Sequence, residues 1–304
     1  MGRGIVVRPS YPKLPRLRRV SVRFRIACRS RIARASFNID GAAERMAGAI
    51  VHAGGSTGHP WLKENAMSYL MKPNLILLPG LLNDARLWRA QAEGLGDIAN
   101  VSIADLTRSD TMADLAADVL EQVPAGMFAL AGLSMGGYVA LEIMRQAPER
   151  VASLALIDTS ARPDTPEATA NRQRLIALAR TDFPAVPREL MQKLLHPLHL
   201  ADRDIVDCIE DMAATVGPDA FVRQQHAIMA RIDSRGSLPN IGCPSLVLCG
   251  REDSITPVEV HEEMAALIPR ATMTIVEHCG HLSALEKPDA VTAALRNLLQ
   301  GKPC

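Results

Sequence analysis

From residue 74 onward, apolar residues fall in short runs of strand length that alternate with stretches of helical period. Residues 75–78 (Leu-Ile-Leu-Leu) form a continuous apolar run closed by Pro79-Gly80, the pattern of a strand buried on both faces and ending in a turn. Asn83 or Asp84 can cap the helix that follows through Trp88 and Leu95. A second strand is expected at 101–104, then a helix opening at Asp110 or Thr111 with Met112, Leu115, Ala116 and Val119 on one face. Residues 127–131 predict a third strand running into Gly132, and Tyr138, Leu141, Ile143 and Met144 mark a helix that stops at Pro148. Residues 154–157 give a fourth strand, with Asp158 at its end.

The alternation then breaks. Residues 161–235 hold helix-like stretches at 167–179, 187–195, 202–212 and 219–230, punctuated by Pro184, Pro187, Pro197 and Pro218. Strands return at 245–249 and 273–276, with helices at 258–268 and Pro288–Leu299. This order predicts an α/β fold: a doubly wound, mostly parallel sheet of about six strands carrying an inserted helical segment as a lid over 161–235. The core is expected over 67–160 and 236–304. In such sheets ligands bind beyond the C-terminal ends of the strands.

Composition changes the picture at the N-terminus. The 304 residues carry a net charge of +1, but residues 1–40 hold eleven Lys or Arg against one acid, Asp40. That balance fits a mitochondrial transit peptide or a nucleic-acid-binding arm, yet Val20, Val22, Phe24 and Ile26 alternate with period two, and no nucleic-acid-binding module is recognisable. Residues 1–66 are read as a disordered extension outside the fold, or as sequence upstream of a start at Met67 or Met71. No apolar run reaches the roughly 18 residues of a membrane span. The six cysteines show no Cys-x-x-Cys pair, the usage of reduced cytoplasmic thiols. A cytoplasmic monomer or homodimer, with no membrane or nucleic-acid partner, is expected.

The candidate chemistry centres on Gly132-Leu-Ser134-Met-Gly136, where strand, sharp turn and helix meet as they do around an exposed nucleophilic serine. A serine hydroxyl needs a base, and the base needs a carboxylate to orient it. Of the eight histidines, His281 in Cys279-Gly280-His281 lies just past a strand end, with His278 as its rival. His52 and His59 fall in the discounted region, His196 and His199 lack a third ligand type for a metal, His226 lies mid-helix, and His261 reads as a solvated helix position. Asp253 in Gly250-Arg-Glu-Asp253 is the carboxylate of choice, with Glu252 and Asp158 as rivals. An oxyanion site is expected from the backbone N–H groups of Met135 and Leu81. Leu82, Arg223 and Arg231 are candidate substrate contacts, the arginines for a substrate carboxylate. Met191, Leu194, Leu195, Ile209, Met212, Phe221, Ile228 and Met229 suggest an apolar acyl pocket or simple lid packing. The chemistry needs no cofactor or metal.

The segments Leu-Leu-Pro-Gly-Leu-Leu, Gly-Leu-Ser-Met-Gly-Gly, Gly-Arg-Glu-Asp-Ser-Ile-Thr-Pro and Cys-Gly-His-Leu-Ser-Ala-Leu-Glu-Lys-Pro resemble those of α/β-hydrolase-fold serine hydrolases. Within that family the chain is most similar to small-capped esterases of the pimeloyl-carrier-protein methyl esterase type and to 3-oxoadipate enol-lactonases. The resemblance implies cleavage of a carboxylic ester, thioester or lactone through an acyl-enzyme on Ser134. Carbon–carbon bond hydrolases and cofactor-free perhydrolases use the same triad, and a non-catalytic ligand-binding protein on this fold is the reading from another class. Two departures stand out: Pro79-Gly80 replaces the usual His-Gly, and residues 41–70 show no N-terminal hairpin, so a sheet truncated at one edge is expected.

Overall fold

The computed structural model describes residues 72–302. The expectations for residues 1–66, for His52 and His59 and for the missing hairpin lie outside these residues. Six strands form one sheet: β1 Asn74–Leu78, β2 Asn100–Ile103, β3 Phe128–Leu133, β4 Val151–Ile157, β5 Ser245–Gly250 and β6 Ala271–Val276. Their order is β2-β1-β3-β4-β5-β6 and every pair is parallel. The chain leaves β1 outward to β2 and then crosses back to β3, so the order reverses between β1 and β3. That reversal opens a crevice at the strands' C-terminal ends.

Helices cover both faces because successive strand residues point to opposite sides. Ile76 and Leu78 of β1 join a core with Leu115 of α2 (Met112–Gln122), Tyr138 and Ile143 of α3 (Met135–Gln146) and Met264 of α7 (Val258–Leu267). Leu75 and Leu77 join the opposite core with Leu95 of α1 (Arg89–Leu95), Ala284 of the short α8 (Ser283–Glu286) and Leu295 of α9 (Pro288–Leu299). This two-sided burial is why the strands read as unbroken apolar runs, each fully buried leucine contributing about 1.5–3 kcal/mol. Local signals set the helix starts: Thr111 accepts from Asp114 N–H at the head of α2, and Asp84 accepts from Arg86 N–H at the short 3₁₀ turn before α1.

Between β4 and β5 the chain forms a cap of three helices, α4 Pro166–Thr181, α5 Ala185–Leu194 and α6 Arg203–Met229. Pro218 interrupts α6 as its sequence suggests: Gly217 at φ 76°, ψ 169° breaks the helical path and re-phases the second half. Leu175, Ile176, Val186 and Phe221 pack with Leu82, which docks the cap on the turn after β1. No described helix is long and apolar enough to cross a membrane.

Candidate active site

Ser134 sits where β3 hands over to α3, at φ 55° and ψ −116°, a conformation an L-residue adopts only when its surroundings force it. The forcing is visible at the flanking glycines. A Cβ on Gly132 would run into the carbonyl oxygen of Gly136, and one on Gly136 into that of Leu78. The strand and helix backbones therefore touch, and the turn between them lifts the serine side chain into a cavity of about 640 Å³ that also receives His281. Ser134 N–H donates to Ile157 O, and Thr159 Oγ1 donates to Ser134 O, which holds the strained residue from both sides.

His281 reaches it from the loop after β6. Its Nε2 lies 2.8 Å from Ser134 Oγ and its Nδ1 2.8 Å from Asp253 Oδ2. Asp253, in the loop after β5, is itself fully occupied: Oδ1 accepts the N–H groups of Ile255 and Thr256, and Oδ2 accepts Thr256 Oγ1 at 2.7 Å. Burial raises the carboxyl, but the imidazole's charge, its hydrogen bond and the backbone and hydroxyl hydrogen bonds from Thr256 outweigh this and hold Asp253 below the usual carboxylate range. Burial alone lowers His281, yet the Asp253 charge and hydrogen bond hold it above its ordinary value. The hydroxyl, imidazole and carboxylate thus form one relay in which a proton can leave the serine.

The rivals stand elsewhere. Glu252 accepts Cys279 N–H and ties the β5 loop to the β6 loop. Asp158, at φ 45°, accepts the N–H groups of Gly250 and Ser283 and is pushed up to about 8 by burial and by the Asp253 charge. His278 is exposed on the loop before Cys279. His261, expected on a solvated helix face, is fully buried: its Nε2 accepts Thr159 N–H at 2.9 Å, and burial drives its pKa to about 4. The helix face turns inward there because α7 packs on β5 and β6.

The turn after β1 lies against the nucleophile, and a Cβ on Gly80 would stand 3.4 Å from Ser134 Cβ. Asn83 N–H closes the turn on Gly80 O, leaving Leu82 at φ 60°, a position that favours glycine. Leu82 N–H is taken by Gln224 Oε1. Among the described residues no protein acceptor takes the N–H of Leu81 or of Met135. Met135 N–H also opens a helix, where partial positive charge accumulates.

Two supporting residues escape the sequence. Glu286 accepts the N–H groups of Gly280 and Leu282, which flank His281, and also His196 N–H and His199 Nδ1. Gln224 bridges Leu82 N–H and Leu106 O. The trace of the first in the sequence is an acid five residues beyond the histidine, in Leu-Ser-Ala-Leu-Glu286. Arg223, a candidate substrate contact, instead donates to Thr107 O and does not line the cavity, because the break at Gly217 rotates this half of α6. Arg231 and Leu82 do line it. Of the expected acyl-pocket residues, Leu194, Ile209 and Ile228 reach the cavity, whereas Met212 and Phe221 are buried in packing.

Away from the triad, His196, Glu252 and His278 bring one ligand atom each within 4.8 Å of one another. His196 Nδ1, however, accepts Leu198 N–H, which leaves the ring proton on Nε2, the nitrogen facing Glu252. A metal bound there would have to break that capping bond.

The alpha/beta hydrolase family matches residues 50–294. A pimeloyl-[acyl-carrier protein] methyl ester esterase from Nitrosomonas europaea is 27% identical over 240 residues, covering 71% of this chain and 92% of that protein. Among solved structures, a thermophilic esterase from Thermogutta terrifontis is 32% identical with a TM-score of 0.69, covering 75% of this chain and 90% of the other. The enol-lactonase from Burkholderia xenovorans LB400 shares the fold at 24% identity and a TM-score of 0.70, covering 76% and 92%.

Proposed function

The chain belongs to the alpha/beta hydrolase family, and on that premise we propose that it hydrolyses carboxylic esters through an acyl-enzyme on Ser134. The observation that carries this reading is the continuous relay from Ser134 Oγ through His281 to Asp253, both links 2.8 Å long. His281 Nε2 takes the hydroxyl proton as Oγ attacks the ester carbonyl. The carbonyl oxygen gathers negative charge and is met by the N–H groups of Leu81 and Met135, a pair whose loss of one donor typically costs about 3 kcal/mol of transition-state stabilisation. Protonated His281 then hands its proton to the leaving alcohol. A water deprotonated by the same nitrogen attacks the acyl-enzyme, and the acid departs as Ser134 recovers its proton. Asp253 keeps the Nδ1–H tautomer and stabilises the imidazolium. The cap helices choose the substrate. Thioesters and lactones present the same carbonyl to the same groups and belong to the proposed range.

The test is a screen of the full-length protein against p-nitrophenyl butyrate, an acyl thioester and a small lactone. Turnover of the ester supports the reading; folded protein that turns over none of the three contradicts it.

A pH dependence follows. His281 acts as a base only when neutral, and its folded-state pKa lies above the ordinary 6.5. kcat/KM is therefore expected to fall as pH drops through a single limb centred above 6.5. A profile flat down to pH 5, measured by initial rates in a constant-ionic-strength buffer series, would remove His281 as the base.

A further inference from the structure

Apart from the triad, the densest set of polar groups on the cavity wall lies on the cap. Asp164, 2% exposed at its side chain, accepts from Arg172 Nε at 2.9 Å and from Arg231 Nη1 at 2.6 Å. The Arg231 guanidinium also lies over the Tyr138 ring, 4.4 Å from its centroid. Arg172 Nη1 donates to Gln225 Oε1 at 2.9 Å. A guanidinium has only donors to offer, so the amide oxygen of Gln225 must face it and the amide nitrogen must point away. Gln225 is completely buried on the cavity wall, and its Nε2 meets no acceptor among the described residues. Burying an amide donor without an acceptor is costly, and a buried polar group in that state calls for a ligand or an ordered partner.

Charge points the same way. Two guanidiniums share one carboxylate, which leaves this part of the wall with one uncompensated positive charge. The formal charges on the rest of the wall do not cancel it: Arg162 is paired with Glu263, and Lys193 and Glu167 carry one charge each of opposite sign, neither in an ion pair among the described residues. The chemistry that fits an unmatched amide N–H₂ beside an arginine in excess is a negatively charged, planar acceptor. A neutral carbonyl would satisfy the amide and leave the charge unbalanced.

We propose that Arg172 and Gln225, with Arg231 and Asp164 behind them, form a subsite for a carboxylate at the end of the substrate remote from the scissile ester. The preferred substrates are then half-esters of dicarboxylic acids. This rests on the ester-hydrolase reading above. Asp164 sets the strength of the subsite: it anchors both arginines and cancels one of their charges, so the bound carboxylate can still leave.

The test compares mono-p-nitrophenyl esters of dicarboxylic acids, from succinate to suberate, with p-nitrophenyl esters of monocarboxylic acids of equal length. At one chain length the half-ester is expected to be preferred by at least about tenfold in kcat/KM, chiefly through KM, the size of a charge-assisted hydrogen bond. Gln225→Glu keeps an oxygen for Arg172 and replaces the free donor by an acceptor; it should abolish or invert the preference. Arg172→Gln should weaken it, and carries the test if the first variant fails to fold. A second readout is independent of turnover. In Ser134→Ala, adipate but not hexanoate should raise the thermal midpoint, and adding Gln225→Glu should erase that rise. Neutral esters cleaved as well as half-esters at every length, or a preference that survives both substitutions, would overturn the subsite while leaving the hydrolase intact. Adipate stabilisation that depends on Gln225, in a protein that cleaves no ester, would support the subsite and sink the hydrolase reading instead.

Discussion

Ser134→Ala is expected to lower kcat/KM for p-nitrophenyl butyrate by at least about a thousandfold while leaving the fold intact. The size follows from what is removed. The proposed nucleophile vanishes, and only binding and the two backbone donors remain to assist attack by water. The fold should survive because the hydroxyl has one partner, His281 Nε2, whereas the elbow is held by backbone: Ser134 N–H on Ile157 O, and Ser134 O accepting Thr159 Oγ1. Alanine keeps all of that. A thermal midpoint unchanged beside a silenced rate is the expected pair of measurements, and equal rates for the two proteins would end the nucleophile assignment.

Asp253→Asn should cost on the order of 10⁴-fold in kcat, and for a reason specific to its neighbours. Oδ1 accepts two backbone N–H groups, from Ile255 and Thr256, so the asparagine must keep its oxygen there. Its NH₂ then occupies the place of Oδ2 and faces His281 Nδ1 and Thr256 Oγ1. An amide donor against Nδ1 forces the imidazole proton onto Nε2, where it points at Ser134 and cannot accept the hydroxyl proton. Glu252→Gln leaves that tautomer alone and is expected to stay within about tenfold of wild type. Asp158→Asn also leaves that tautomer alone, so the folded protein should keep kcat within about tenfold of wild type; its cost falls on stability, because Gly250 N–H goes to Oδ1 and Ser283 N–H to Oδ2, and one of the two would face the new NH₂. If Asp158→Asn proved the costlier substitution in kcat, the carboxylate of the relay would have been misassigned.

The fold was legible in the sequence where the physics is local. Strands buried on both faces must be continuously apolar, and Pro288 at the first turn of α9 and Thr111 before α2 mark helix starts that need only their own neighbours. The relay residues were legible for a related reason, since each follows a strand end and a glycine. What escaped depends on packing between distant segments. His261 reads as a solvated position until α7 is laid against the sheet, when it becomes the acceptor for Thr159 N–H. Arg223 and Gln225 lie two residues apart on α6, and only the break at Gly217 decides that the second, not the first, reaches the cavity. Glu286 gathers four donors from two loops, a role with no periodicity to betray it.

The central claim is that Ser134 carries the acyl group between two half-reactions. Acid-quenching the full-length protein during turnover of p-nitrophenyl butyrate, followed by peptide mass spectrometry, tests it most directly. A butyryl mass increment is expected on the peptide containing Ser134 and absent from Ser134→Ala. Steady ester turnover with that peptide unmodified in a rapidly quenched sample, or the increment on another residue such as Cys279, would contradict it.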